Sequence, residues 1–103
     1  MKIKNMQEDV HDWVLQNGGY WPPLSMMARL TEEVGELARE INHEYGMKKR
    51  KQEEQIKSIS GEIGDVLWTL ICISNHLNIN LEDTHSQTMD KLNKRYKTNK
   101  KDK

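Results

Sequence analysis

The chain lacks several features that common classes of protein require. It has a single cysteine, Cys72, so no disulfide can form within the chain, and a reducing cytoplasm is the expected location. No apolar run approaches the roughly 18 residues of a membrane span, and the N-terminus has no apolar segment of the kind found in signal peptides. The formal net charge is zero, because 16 basic residues balance 16 acidic ones. A nucleic-acid coat protein would be clearly basic. We therefore expect a cytoplasmic protein whose partners are neither membranes nor nucleic acid polymers.

Apolar residues and prolines are also scarce. Only 35% of the 103 residues are hydrophobic, so one domain of this length buries a modest core, and association of subunits is a common remedy. The only two prolines, Pro22 and Pro23, are adjacent and follow Tyr20 and Trp21. Because each proline restricts itself and the residue before it, this segment predicts a rigid aromatic connection.

The spacing of apolar residues predicts four helices and no strand. The helices are expected over Ile3 to Gln16, about Leu24 to Tyr45, near Ile56 to Leu77, and beyond Asn80, which is a suitable N-cap. The charged segment Met47 to Gln55 predicts a solvated loop. Residues 1–96 are thus expected to form one all-α domain, a four-helix bundle, and the lysine-rich residues 97–103 a polar, disordered tail.

The third helix predicts a second subunit. Its second half, from Val66 to Ile73, carries no charge and is apolar almost all round, and such a helix is buried on all sides. Three other short helices would hardly enclose it, so we expect a homo-oligomer, a dimer or a tetramer, with this helix near the subunit contact. The expected core-facing stripes are Leu30, Val34, Leu37, Ala38 and Ile41 in the second helix, and Leu81, His85, Met89, Leu92 and Tyr96 in the fourth.

Two helical segments carry the same pattern of acid, β-branched residue, glycine, acid and aliphatic residue. They are EVGEL, which contains Glu33 and Glu36, and EIGDV, which contains Glu62 and Asp65. Each internal glycine costs about 0.8–1 kcal/mol relative to alanine, so close approach of a backbone or a ligand is expected to compensate. Residues three apart share one face of a helix, so two such helices can present four carboxylates. Clustered carboxylates repel one another, and a hard divalent cation is their natural counterion.

A solvated acidic face is the alternative for these residues. In the second helix, Glu32, Glu33, Glu36 and Glu40 lie in one arc roughly opposite Val34 and Ile41, so this helix alone could simply be amphipathic. The third helix favours the metal site, because its acid pair borders the most apolar segment of the chain. Charges in such a place are costly unless they are paired or bound to metal.

The two acid pairs resemble the signature of the MazG-like all-α nucleoside triphosphate pyrophosphohydrolases. The sequence around them, from Leu30 to Leu37 (LTEEVGEL) and from Gly61 to Trp68 (GEIGDVLW), is similar to that family's typical helices. The Trp-Pro-Pro connection and the late Lys-Leu-Asn-Lys-Arg-Tyr segment are similar to it as well. The resemblance spans roughly residues 5–96, whereas the basic loop Lys48 to Lys51 and the tail carry nothing of the family pattern.

The resemblance implies hydrolysis of a nucleoside triphosphate between its α- and β-phosphates, which yields a monophosphate and pyrophosphate. Two or more Mg²⁺ ions, or Mn²⁺, would bridge phosphate oxygens and neutralise developing charge. The implied metal ligands are Glu33, Glu36, Glu62 and Asp65. Either Glu32 or one of the ligands, such as Glu33, would orient the attacking water, and the sequence does not choose between them.

The residues that contact the nucleotide stay open at this stage. Lys91, Lys94 and Arg95 in the fourth helix are candidates to hold the phosphates, or they form an ordinary solvated basic face that suits the helix dipole. Trp21 either stacks on the base or covers the core, and Asn75 is a candidate polar contact. The preferred base and sugar, and the choice between clearing aberrant nucleotides and controlling pools, are not determined.

Two other functions compete with hydrolysis. A di-iron carboxylate bundle needs two Glu-x-x-His pairs, which Glu40–His43 and Glu82–His85 formally supply, although each pair lies near the end of its helix. The third possibility is a non-catalytic helical interaction module whose acids are only a surface. Chelator-sensitive release of pyrophosphate would distinguish the hydrolase from both.

Overall fold

The chain folds into four α-helices. The structure, a computed structural model, describes residues 1–47 and 58–101, with side chains described as far as residue 96. Its helices are α1 (Ile3–Gln16), α2 (Pro23–Tyr45), α3 (Ile59–His76) and α4 (Leu81–Lys101). No strand occurs within these ranges, so the all-α prediction is confirmed. None of the described helices combines the length and apolar character that a membrane crossing requires.

Local capping sets the helix boundaries. Helix α2 begins at Pro23, one residue earlier than predicted, because proline at the first helical position loses no needed hydrogen bond. The predicted start of the third helix, Ile56, and most of the predicted charged loop lie outside the described residues. Helix α3 begins at Ile59 because the Ser58 hydroxyl accepts a hydrogen bond from the Gly61 N–H at 2.8 Å. The N-cap prediction for Asn80 is confirmed by its side-chain oxygen, which accepts the Glu82 N–H at 2.9 Å.

Helix α4 continues to Lys101, so residues 97–101 of the expected tail are helical. Lysine is a good helix former, and this lysine-rich segment contains no proline that would end the helix. Beyond Leu81, every described side chain of α4 is exposed, and the helix projects from the rest of the molecule.

The core is small and lies between α1, α2 and α3. Its buried apolar residues are Val10, Val14, Met26, Ile71 and Cys72. Helix α2 packs along α3, and α1 packs on α3 from another side, whereas the described part of α4 packs mainly against α1 and makes no extended contact with α2 or α3. Hydrophobic burial on this scale stabilises a chain of this length only modestly, as the composition suggested.

The face of α2 that meets α3 differs from the predicted apolar stripe. Leu30 and Leu37 are partly buried, but Val34 and Ile41 are 47% and 43% exposed, and the buried position is taken by Glu40, which is 2% exposed. Ala38 is exposed as well, so two of the five residues predicted for the stripe are partly buried within one chain. Periodicity gives the direction of an apolar face, but packing orients α2 here so that Glu40 is buried and Val34 faces outward.

The expected all-round burial of α3 is also incomplete within one chain. Ile71 and Cys72 are buried, whereas Ile63, Leu67 and Leu70 are 52%, 40% and 42% exposed. These three residues are spaced four and three apart, so they form one outward stripe. Contiguous exposed apolar patches of this kind mark interaction surfaces.

Candidate active site

Three carboxylates from two helices converge beside the core. Glu33 lies on α2, and Glu62 and Asp65 lie one turn apart on α3. One carboxylate oxygen from each of the three lies within 4.8 Å of the other two. Glu62 is 2% exposed, the Glu33 side chain is 13% exposed, and Asp65 is open to solvent. The cluster is therefore a partly buried acidic site that can be reached from the surface at Asp65.

The cluster suits a hard divalent cation. The Glu33 Oε2 atom is buried and accepts no hydrogen bond from the part of the chain that the structure describes. Its Oε1 atom lies 3.8 Å from Arg29 Nε, which is an ion-pair distance but too long for a hydrogen bond. A buried carboxylate with unused lone pairs is costly, and a set of oxygen ligands is what Mg²⁺ prefers. On these grounds the residues present fit a metal ion.

The other acids of α2 lie around this cluster. Glu36, one turn beyond Glu33, is partly buried but lies outside the group of three that converges. Glu32 is exposed and lines a shallow depression together with Glu33, Trp21 and Arg29. Glu32 therefore borders the cluster from the solvent side.

An aromatic pocket adjoins the acids. It is a cavity of about 210 Å³ whose lining includes Trp13, Tyr20, Trp21, Arg29 and Trp68. The rings of Trp13 and Trp68 meet edge to face, with centroids 5.6 Å apart and planes at 83°. Pockets for whole drug-sized ligands usually measure about 300–1,000 Å³, so this cavity holds only part of a nucleotide-sized molecule.

The comparisons with known proteins agree with this arrangement. The family model of the MazG nucleotide pyrophosphohydrolase domain matches residues 22–99, which include both acid pairs and the aromatic connection's Pro22 and Pro23. The chain belongs to the MazG nucleotide pyrophosphohydrolase family. It is therefore an enzyme of the hydrolase class, as the sequence resemblance implied, and a nucleotide is the substrate that MazG membership implies.

Solved structures and relatives support the MazG assignment. The chain is 52% identical over 96 residues to the Bacillus subtilis protein YpjD, across 92% of this chain and 86% of YpjD. The crystal structure of YpjD matches with a TM-score of 0.82, covering 90% of this chain and 96% of that one. A Bacillus-conserved MazG protein, described as a nucleotide pyrophosphohydrolase, is 48% identical with a TM-score of 0.78, covering 89% of this chain and 90% of that one. The iMazG protein of Vibrio DAT 722 is 29% identical with a TM-score of 0.64, covering 91% of this chain and 99% of that one.

Not every residue predicted for this MazG site lies near the acids. Asn75 is ten residues beyond Asp65 on α3, about 15 Å along the helix axis. Its amide exchanges hydrogen bonds with Gln7, accepting from Gln7 Nε2 and donating to the Gln7 carbonyl, each at 2.9 Å. Gln7 also accepts the Leu81 N–H at 3.0 Å, so Asn75 helps to join α1 to the start of α4.

The basic residues of α4 are not brought to the acids within one chain. Lys91, Lys94 and Arg95 are all exposed, on a helix that makes no extended contact with α2 or α3. The pair Glu82 and His85 lies on the same projecting helix and is exposed as well. The four residues that a di-iron site would need are therefore not assembled within one chain.

Arg29 and Trp68 lie at the site but were not predicted from the sequence, although their spacing from the acids could have indicated them. Arg29 lies four residues before Glu33, which is one helical turn and places both on one face of α2. Trp68 lies three residues after Asp65 on α3 and so borders the acid pair. Both were overlooked because the acids alone defined the expected site.

Cys72 lines the aromatic pocket, but its thiol has low reactivity. Burial raises the pKa of the Cys72 thiol to about 11, and the nearby Arg29 guanidinium only partly opposes that rise. Because the thiolate is the reactive form, this thiol is inert at neutral pH. Its role in the pocket is to pack.

Proposed function

We propose that this MazG-family protein hydrolyses nucleoside triphosphates to monophosphates and pyrophosphate with Mg²⁺ bound by Glu33, Glu36, Glu62 and Asp65. The observation that carries the proposal is the convergence of three of these carboxylates, one of them 2% exposed, beside a solvent-open approach. When bound, Mg²⁺ supplies charge neutralisation for the phosphates and a lowered pKa for water. Mn²⁺ is the expected substitute, since it accepts the same oxygen ligands.

The residues of the site have separate proposed roles in shaping the site, accepting a proton and binding the base. Glu62 is buried and forms the inner side of the site, whereas Asp65 forms its solvent-facing edge. Glu32 stands in the depression beside Glu33 and can hold a proton taken from the attacking water. Trp21, which is 52% exposed, lines both that depression and the aromatic pocket. This position supports the proposal that the base stacks in the pocket while the phosphates lie at the acids.

Hydrolysis is tested with a panel of nucleoside triphosphates in the presence of Mg²⁺. We expect stoichiometric monophosphate and pyrophosphate, and loss of the activity when EDTA removes the metal. Chromatography of the nucleotides together with an assay for pyrophosphate measures both products. Release of inorganic phosphate without pyrophosphate would contradict cleavage between the α- and β-phosphates. Absence of turnover with both Mg²⁺ and Mn²⁺ would contradict the proposed hydrolysis and favour a non-catalytic interaction module.

We also propose that the working protein is a homo-oligomer in the cytoplasm. Exposed apolar stripes lie on α2 at Val34 and Ile41, on α3 at Leu67 and Leu70, and on α4. The α4 stripe comprises Met89, Leu92 and Tyr96, which are 42%, 39% and 64% exposed. Burial of such surface is favourable by about 25 cal/mol per Å², and a second copy offers complementary stripes of the same kind. Sedimentation at micromolar concentration should give a multiple of the 12.1 kDa chain mass, and a stable monomer would contradict the proposal.

The oligomer offers a role for the basic residues of α4. Within one chain α4 projects away from α2 and α3, so Lys91 and Arg95 have no acidic cluster of their own chain beside them. Docking of this amphipathic helix on the α2 and α3 stripes of a second copy would carry its cations towards that copy's carboxylates and phosphates. Charge-assisted contacts to phosphate are worth roughly 1.5–3 kcal/mol each. We therefore propose that the phosphates are held by metal from one subunit and by α4 of another.

A further inference from the structure

One cationic side chain, that of Arg29, lines the aromatic pocket. Among the described residues that line this cavity, Arg29 is the single charged side chain. Its guanidinium carbon lies 5.5 Å from the ring centre of Trp21 and 5.7 Å from that of Trp68. The two aromatic rings therefore hold the guanidinium by cation–π contact and restrict its orientation.

One hydrogen-bond donor of Arg29 has no partner within the described part of the chain. Its Nε atom is buried and makes no hydrogen bond within the described part of the chain. Its ion-pair partner Glu33 Oε1 is 3.8 Å away, beyond hydrogen-bond range. The side chain is 39% exposed, so a ligand in the pocket can reach it. A guanidinium against ring faces keeps its N–H donors in its own plane, where they can meet the edge of a flat ligand.

The position of Arg29 links the pocket to the acids. Arg29 and Trp21 line both the aromatic cavity and the depression that contains Glu32 and Glu33. A nucleotide whose phosphates lie at the acidic cluster therefore extends its base past Arg29.

The geometry points to Arg29 as the residue that reads the base and selects guanine nucleotides, an inference that rests on the proposed function. Arg29 has only donors, and guanine presents two adjacent acceptors, O6 and N7, which arginine binds with two parallel hydrogen bonds. Adenine presents an amino donor beside N7, so one of the two contacts becomes repulsive. Asn17 lines the same pocket, and its amide nitrogen donates to the Trp13 carbonyl at 2.8 Å, which leaves the amide oxygen as an acceptor for a base N–H.

The test uses binding of reaction products without metal. All three tryptophans of the chain, Trp13, Trp21 and Trp68, line the pocket, so intrinsic fluorescence reports directly on its occupancy. Titration with dGMP and with dAMP should give a Kd for dGMP that is about ten- to a hundredfold lower, as expected for one bidentate contact. Arg29→Met keeps most of the length of the side chain but removes every hydrogen-bond donor, so most of the preference for dGMP should be lost. Arg39→Met, at an exposed position on the same helix, is the matched control and should keep the preference.

Two results would overturn the inference. Equal Kd values for dGMP and dAMP in the parent protein, or no detectable binding of either, would exclude base reading in this pocket. An undiminished preference for dGMP in Arg29→Met would show that another residue selects the base. Pyrophosphate release is measured in parallel on dGTP and dATP. Turnover of dGTP and dATP at equal rates would contradict guanine selection and support the proposed hydrolysis. Selective binding of dGMP without turnover of either triphosphate would support guanine selection and contradict the proposed hydrolysis.

Discussion

Asp65→Asn should abolish pyrophosphate release while leaving the fold intact. Asp65 is exposed at the edge of the acidic cluster, so the amide costs no core packing, but one of the proposed metal ligands is lost. We expect kcat to fall by on the order of a hundredfold or more, because the lost metal-ligand bond weakens charge stabilisation in the transition state. Circular dichroism and thermal unfolding without metal should match or exceed the parent, since one fewer negative charge relieves repulsion.

The matched control for this variant is Asp9→Asn, an exposed acid on α1 away from the cluster. It should retain parental kinetics. Mg²⁺ should raise the melting temperature of the parent and of Asp9→Asn, because a ligand that binds only the folded state stabilises it, and should have little effect on Asp65→Asn. Activity of Asp65→Asn near the parental level would remove the metal-site assignment.

Two variants, Asp65→Asn and the strongly impaired Lys91→Ala, should restore activity to each other when their subunits mix. In the proposed oligomer, Asp65→Asn damages the acidic site of its own chain, and Lys91→Ala damages only the helix that its chain offers to a partner. In a dimer that contains one of each, one site then has intact acids and an intact α4, whereas the other site has neither. Random mixing should recover about a quarter of the parental activity, because half of the dimers are mixed and each has one good site.

The control for this experiment pairs Asp65→Asn with Glu33→Gln. Both substitutions damage the acidic cluster of their own chain, so no site in a mixed dimer is intact and no recovery is expected. Coexpression with two affinity tags yields the mixed species, and pyrophosphate release measures their activity. Absence of recovery with Lys91→Ala, in a sample whose mixed subunits are demonstrated, would mean that α4 does not act on a partner's site.

Much of the helical architecture could be predicted from local patterns. The first helix was predicted with the bounds that α1 has, and the Asn80 cap is present, because periodicity and capping are short-range properties of the chain. The pairing of Glu33 with Glu62 and Asp65 followed from one repeated motif on two amphipathic helices. The start of α3 was less predictable, since Ser58 competes with residues before it as a helix start.

Sequence patterns therefore specify most of the residues that form the described helices, although not the helical residues 97–101, and they specify which helices carry the acids, because both depend on spacing within about four residues. The rotation of α2 that turns Glu40 inward and leaves Val34 outward depends on what packs against it, which no local spacing encodes. The same holds for the aromatic pocket, since Trp13, Trp21 and Trp68 come from three separate segments and meet only when α1, α2 and α3 pack. The position of α4, far from the acids of its own chain, likewise follows from long-range packing, and it is the reason that a second subunit enters the proposal for the phosphates.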